Sequence, residues 1–195
     1  VCYGSGIPDG ECDCDSNVED CADECGGIAY IDDCSNCVGG STGLYNCADI
    51  QFLEDWLDCS GNSCLVDALE YVDFENGQIT TIKEVYLFNC PELPESIGNL
   101  SALVEINCLN SGFSTLPGSF GNINQLKYLK LSGNEFTSIP ESIFEIDSLL
   151  TLNLNENNIS SIPDDITALN NLNKLELSGN QFTLFPDNLG ELENL

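Results

Sequence analysis

Residues 124–146 read NQLKYLKLSGNEFTSIPESIFEI, and the same apolar offsets return in 147–169 and 170–192. The first stretch carries Leu126, Leu129, Leu131, Asn134, Phe136, Ile139, Pro140, Ile143 and Ile146. Moving 23 residues along gives Leu149, Leu152, Leu154, Asn157, Ile159, Ile162, Pro163, Ile166 and Leu169. A further step gives Leu172, Leu175, Leu177, Asn180, Phe182, Phe185, Pro186, Leu189 and Leu192, and a looser block starts at Ser101. A fixed period of ~20–30 residues predicts a solenoid, because so short a unit can bury its apolar side only against its neighbours.

Within each block the Leu-x-Leu core alternates apolar and polar positions at period two, which predicts a short strand. Stacked blocks then pair into a parallel sheet, with Leu129 and Leu131 inward and Tyr128, Lys130 and Ser132 outward. Asn134, Asn157 and Asn180 fall where the chain leaves the strand. An inward amide there offers both donor and acceptor to turn backbone groups that would otherwise be buried unpaired. These asparagines are therefore expected to form a structural ladder, and Phe113, Phe136, Ile159 and Phe182 a spine beneath it. Prolines 117, 140, 163 and 186 punctuate each unit before a short helical or extended return.

The pattern L-x-x-L-x-L-x-x-N-x-F-x-x-I-P-x-x-I-x-x-L resembles the leucine-rich repeat family over residues 78–195. The resemblance implies an α/β solenoid, a horseshoe whose concave face is a parallel sheet. Five units are expected, with a sixth cut short at Leu195; a stack ending without a cap suggests a piece of a longer protein. The first unit fits less well. Ile82, Val85, Leu87 and Cys90 match the apolar offsets, but Leu93 and Pro94 then arrive two residues early. Cys90 and Cys108 sit at different inward offsets, so buried free thiols and a bridge are both open.

Residues 47–77 read as an N-terminal cap of helix and hairpin. Asp49 is a candidate helix N-cap, and Ile50, Leu53, Trp56 and Leu57 form one apolar stripe. Asn76-Gly77 is a strong hairpin signal leading into the first repeat.

Residues 1–46 form a separate Cys-rich spacer, too short and polar to bury a core without staples. Its Cys2, Cys12, Cys14, Cys21, Cys25, Cys34 and Cys37, together with Cys47 and then Cys59 and Cys64, are disulfide candidates. Such density points to an oxidising, extracellular setting. Asp13, Asp15, Asn17, Glu19 and Asp20 place oxygens at alternate positions, a candidate structural calcium loop similar to those of thrombospondin type 3 repeats. It lacks the glycine and the distant glutamate of an EF-hand.

The chain has 195 residues, 33 acids, 4 lysines, no arginine and no histidine, for a net charge of −29. Such a charge repels nucleic acid and anionic membrane and favours cations or basic surfaces. No apolar run approaches the ~20 residues of a membrane span. Without histidine, Ser-His-Asp and Cys-His catalysis are excluded, and an enzyme is not expected. Binding is expected instead, through outward strand positions. The candidate contact residues are Tyr86, Phe88, Asn107, Leu109, Tyr128, Lys130, Asn153 and Lys174, recognising a protein or a glycan. The alternative is a structural subunit of an extracellular filament or matrix, self-associating head to tail.

Overall fold

The computed structural model describes residues 30–31, 37–38, 46–60, 71–83, 92–183 and 187–195. Inside the Cys-rich segment, β1 (Tyr30–Ile31) and β2 (Cys37–Val38) pair antiparallel. One helix, α1 (Cys47–Ser60), follows. Then come β3 (Val72–Glu75), β4 (Gln78–Ile82), β5 (Glu105–Asn107), β6 (Tyr128–Lys130), β7 (Thr151–Asn153) and β8 (Lys174–Glu176). These six strands make one sheet in sequence order. β3 and β4 are an antiparallel hairpin, and every later pairing is parallel. Asn76 and Gly77 turn that hairpin with φ of 51° and 77°, the two positive values a tight two-residue turn demands.

Ile106, Leu129, Leu152 and Leu175 lie side by side on successive strands, as the repeat requires. Ile106, Leu129 and Leu152 are fully buried. Burial of one such side chain is worth roughly 1.5–3 kcal/mol, so the stacked column is a main source of cohesion. Between strands the chain returns through five-residue 3-10 helices: Glu95–Asn99, Gly118–Asn122, Glu141–Glu145, Asp164–Ala168 and Asp187–Glu191. Pro94, Pro117, Pro140 and Pro163 stand directly before the first four. They are the N-caps, with φ of −70°, −64°, −59° and −75° that the proline ring enforces, and their carbonyls accept the N–H groups of Ile97, Phe120, Ile143 and Ile166. Ile97, Phe120, Ile143 and Ile166 turn back from these helices into the core.

The asparagine ladder is present and stitches each unit to the one before. Asn134 donates to the carbonyls of Cys108 (2.8 Å) and Leu131 (2.9 Å) and accepts from the N–H groups of Ser111 and Phe113. Asn157 donates to Leu131, Leu154 and Asn155 and accepts from Phe136 N–H at 3.1 Å. Asn180 repeats the scheme with Leu154, Leu177 and Ile159. Phe113, Phe136 and Ile159 are buried beneath it, and Phe182 is half-buried.

Two sequence expectations need correction. Ile82 and Val85 were expected at the first and second apolar offsets of the first unit, but Thr81 and Ile82 stand opposite Glu105 and Ile106, so Ile82 takes the second offset. The chain enters the parallel sheet three residues earlier because the Asn76-Gly77 turn delivers it at Gln78 already paired with β3. From Ile82 the interval to Pro94 is one residue longer than from Leu129 to Pro140, not two shorter as counted from Val85. The second correction concerns α1. Asn46, not Asp49, caps the helix, its Oδ1 accepting the Ala48 N–H at 2.9 Å. Asp49 instead accepts the N–H of Ile79 and so ties the helix to β4. Phe52, Leu53 and Trp56 of α1 are fully buried in the same core as Ile79, Ile82 and Ile97, with the Phe52 and Trp56 rings 5.3 Å apart.

Cys108 is a buried free thiol, and burial pushes its pKa well up, so it packs as a small apolar group. Cys90 lies outside the described residues, as do Cys2, Cys12, Cys14, Cys21, Cys25, Cys34 and Cys64. Only the backbone of Cys37, Cys47 and Cys59 is described, so the disulfide framework lies beyond what the structure covers.

Candidate functional site

The outward positions of the parallel strands form columns across the sheet. One column runs Thr81, Glu105, Tyr128, Thr151, Lys174. The next runs Asn107, Lys130, Asn153, Glu176. Strands in a sheet are about 4.8 Å apart, so these columns pack four to five side chains into a band roughly 15–20 Å wide. Of the candidate contact residues, Asn107, Tyr128, Lys130, Asn153 and Lys174 are thus brought together, while Leu109 lies half-buried just past β5. Tyr86 and Phe88 lie outside the described residues.

The acids that accompany the lysines, Glu105 and Glu176, are not among the candidate contact residues. Lys130 Nζ lies 2.6 Å from Glu105 Oε1 on the adjacent strand, and Lys174 Nζ lies 3.2 Å from Glu176 Oε1. Lys83 pairs with Asp73 of β3. Equal parity on neighbouring strands was the available signal, since Glu105 and Lys130 are diagonal across one rung. These exposed pairs leave the sheet face close to neutral, although the chain as a whole is strongly acidic. Tyr128 is 39 % exposed, the one large apolar side chain on this face among the described residues to stand so far out.

Two amides on the face are used internally. Asn153 Oδ1 accepts the Asn155 N–H at 3.0 Å, and Asn155 Oδ1 accepts the Ser178 N–H at 2.7 Å. Asn107 differs: its Oδ1 is buried without a hydrogen-bond partner. Such an acceptor is costly to leave unpaired. The calcium candidates Asp13, Asp15, Asn17, Glu19 and Asp20 lie outside the described residues. Among the described residues, no group of three metal-ligating side chains comes together. No described helix is long and apolar enough to cross a membrane.

Residues 118–195 match the family model of the leucine-rich repeat region. The fold is that of a leucine-rich repeat solenoid. A leucine-rich repeat protein of Leptospira interrogans superimposes with a TM-score of 0.52 at 28 % identity, over 63 % of this chain and 34 % of that one. The BIR3–SERK2 complex of Arabidopsis thaliana matches with a TM-score of 0.57 at 25 % identity, over 76 % of this chain and 87 % of that one. A plant ice-binding protein has a TM-score of 0.57 at 21 % identity, over 71 % of this chain and half of its own length, a likeness of fold alone. The chain therefore spans about a third of the Leptospira protein. No curated protein matches by sequence.

Proposed function

We propose that this leucine-rich repeat solenoid is an extracellular recognition module, binding a protein partner on its concave sheet rather than catalysing a reaction. The observation that carries the reading is the band of Tyr128, Lys130, Asn107 and Asn153 on adjacent rungs, from which the Tyr128 ring stands exposed beside the Lys130–Glu105 pair. An exposed tyrosine beside paired charges is the composition that anchors protein contacts. The Arabidopsis neighbour supports a protein rather than a glycan partner, because its structure is a complex of two proteins. Cysteine density in residues 1–46 favours an oxidising compartment.

The test begins by screening the chain against secreted and cell-surface proteins. Replacing Tyr128 and Lys130 together with alanine should then weaken binding of the partner identified by at least about tenfold. The thermal midpoint should barely change, since Tyr128 and Lys130 do not belong to the core. Undiminished affinity in the folded variant would place binding elsewhere.

A further inference from the structure

The side of the solenoid opposite the sheet carries a second surface that the concave reading does not use. The fourth positions of the five 3-10 helices are Gly98, Gly121, Phe144, Thr167 and Gly190. At Gly98 a Cβ would lie 2.5 Å from the Ser119 carbonyl oxygen, and at Gly121 it would lie 2.2 Å from Glu145 Oε2. Neighbouring turns close on each other at those glycines. At Phe144 a ring takes the place of the hydrogen, and a groove of about 440 Å³ opens between Glu141–Glu145 and Asp164–Ala168. Half-buried Phe144 and exposed Ala168 supply its apolar lining, and Glu141, Glu145 and Asp165 its charged rim.

None of these three carboxylates forms an ion pair with a described residue, whereas three of the four lysines are already paired on the sheet side. Charge is thus segregated: all four lysines belong to strands or the residues adjoining them, and the five 3-10 helices carry no cation. An apolar ring bounded by unpaired carboxylates calls for a ligand with an apolar side chain between cations. A free metal ion would leave Phe144 wet, and an uncharged apolar segment would desolvate the carboxylates without compensation. We propose that this groove docks a basic segment of a partner protein, with an aliphatic or aromatic residue set against Phe144 and flanking lysines or arginines facing Glu141, Glu145 and Asp165.

The probe is a short labelled peptide alternating lysine and leucine, beside a lysine–serine peptide of equal charge, each titrated against the whole chain at near-physiological salt. The lysine–leucine peptide should saturate, shift the amide resonances of residues 141–145 and 164–168, and bind at least about tenfold more tightly than its serine counterpart. Neutralising the rim with Glu141→Gln, Glu145→Gln and Asp165→Asn should remove that preference. A control of equal net charge, with Glu54, Glu75 and Glu193 each changed to glutamine, should keep it. Equal losses in the two variants would reduce the effect to general attraction by an acidic chain. Equal binding of the two peptides would deny Phe144 its role, and resonance shifts confined to the sheet face would assign the peptide to the concave site. Any of these three results overturns the proposal. All substituted side chains are exposed or half-exposed, so neither variant should lose its fold.

Discussion

Glu156 holds a backbone conformation that its own side chain disfavours. Its φ is 52°, and the equivalent residues one repeat away on either side, Gly133 and Gly179, have φ of 72° and 74°. Asn110 completes the column at 53°. Each of these four units has a left-handed residue directly before its ladder position, and glycine adopts it without the Cβ clash that costs other residues roughly 1–2 kcal/mol. Part of that gain is returned through the looser unfolded chain. Glu156→Gly should therefore stabilise the protein by about 0.5–1 kcal/mol, read as a higher denaturant midpoint at unchanged slope. A lower midpoint would mean that the glutamate side chain contributes more than its backbone costs. One residue along, Asn157 makes four hydrogen bonds from a buried site, and its neighbour Asn158 is exposed. Asn157→Ala strands several buried backbone groups at once and should cost about 3 kcal/mol or more, against less than about 0.5 for Asn158→Ala. Similar losses at both positions would contradict the ladder.

Helix α1 shows how an element can be anticipated in place yet misread in its attachments. Its apolar stripe was legible from helical spacing, and Leu53 and Trp56 are buried as that spacing demands. Asn46 was overlooked as the cap, although asparagine is among the residues most favoured at a helix N-cap. Asp49 was free to leave the helix end because Ile79 offers an N–H across the packed surface, and pairwise contacts of that kind are invisible in one sequence. The same limit explains the first strand. Periodicity favoured Val85 and Leu87, whereas a hairpin turn upstream fixed Ile79 and Ile82 as the buried pair. Where four units repeat, each position is read several times and the columns from Glu105 to Lys174 came out right; where a unit meets the hairpin it is read once. The candidate site followed suit: outward parity located its middle, and the lysines' acidic partners emerged only from the strands' pairing.

Asp49 also gives this element a pH signature. Burial outweighs the Ile79 hydrogen bond and raises its pKa from 3.8 to about 6. Between those values the folded chain retains a proton that the unfolded chain has lost. The stability this contributes is complete below the unfolded value and disappears as pH rises through 6. Asp49→Asn keeps an oxygen for Ile79 and does not titrate. The variant should match the parent near pH 4 and exceed it by about 2 kcal/mol at pH 7.5, on the scale of ~1.4 kcal/mol per pH unit of pKa difference. A stability gap that stays constant across this range would show that Asp49 does not change charge there.

For the whole molecule the governing quantity is the net charge of −29 on 195 residues. Repulsion among carboxylates acts over the screening length, which is about 30 Å at 0.01 M salt and about 8 Å at 0.15 M. Against it stand, among the described residues, three exposed or half-exposed ion pairs, Lys83–Asp73, Lys130–Glu105 and Lys174–Glu176, each worth at most about 1 kcal/mol. Salt weakens both effects, but the repulsive pairs far outnumber the attractive ones. The thermal midpoint should therefore climb as sodium chloride rises from 0.01 to about 0.15 M and then level off. Hydrophobic stacking along Ile106, Leu129 and Leu152 cannot imitate that early rise, because chloride salts alter apolar burial only gradually and at much higher concentration. A midpoint that instead falls over the same interval would mean that the sheet-face pairs outweigh the dispersed acids. The proposed neutrality of the concave surface would then have to be understood as a stabilising network rather than as a surface kept free for a partner.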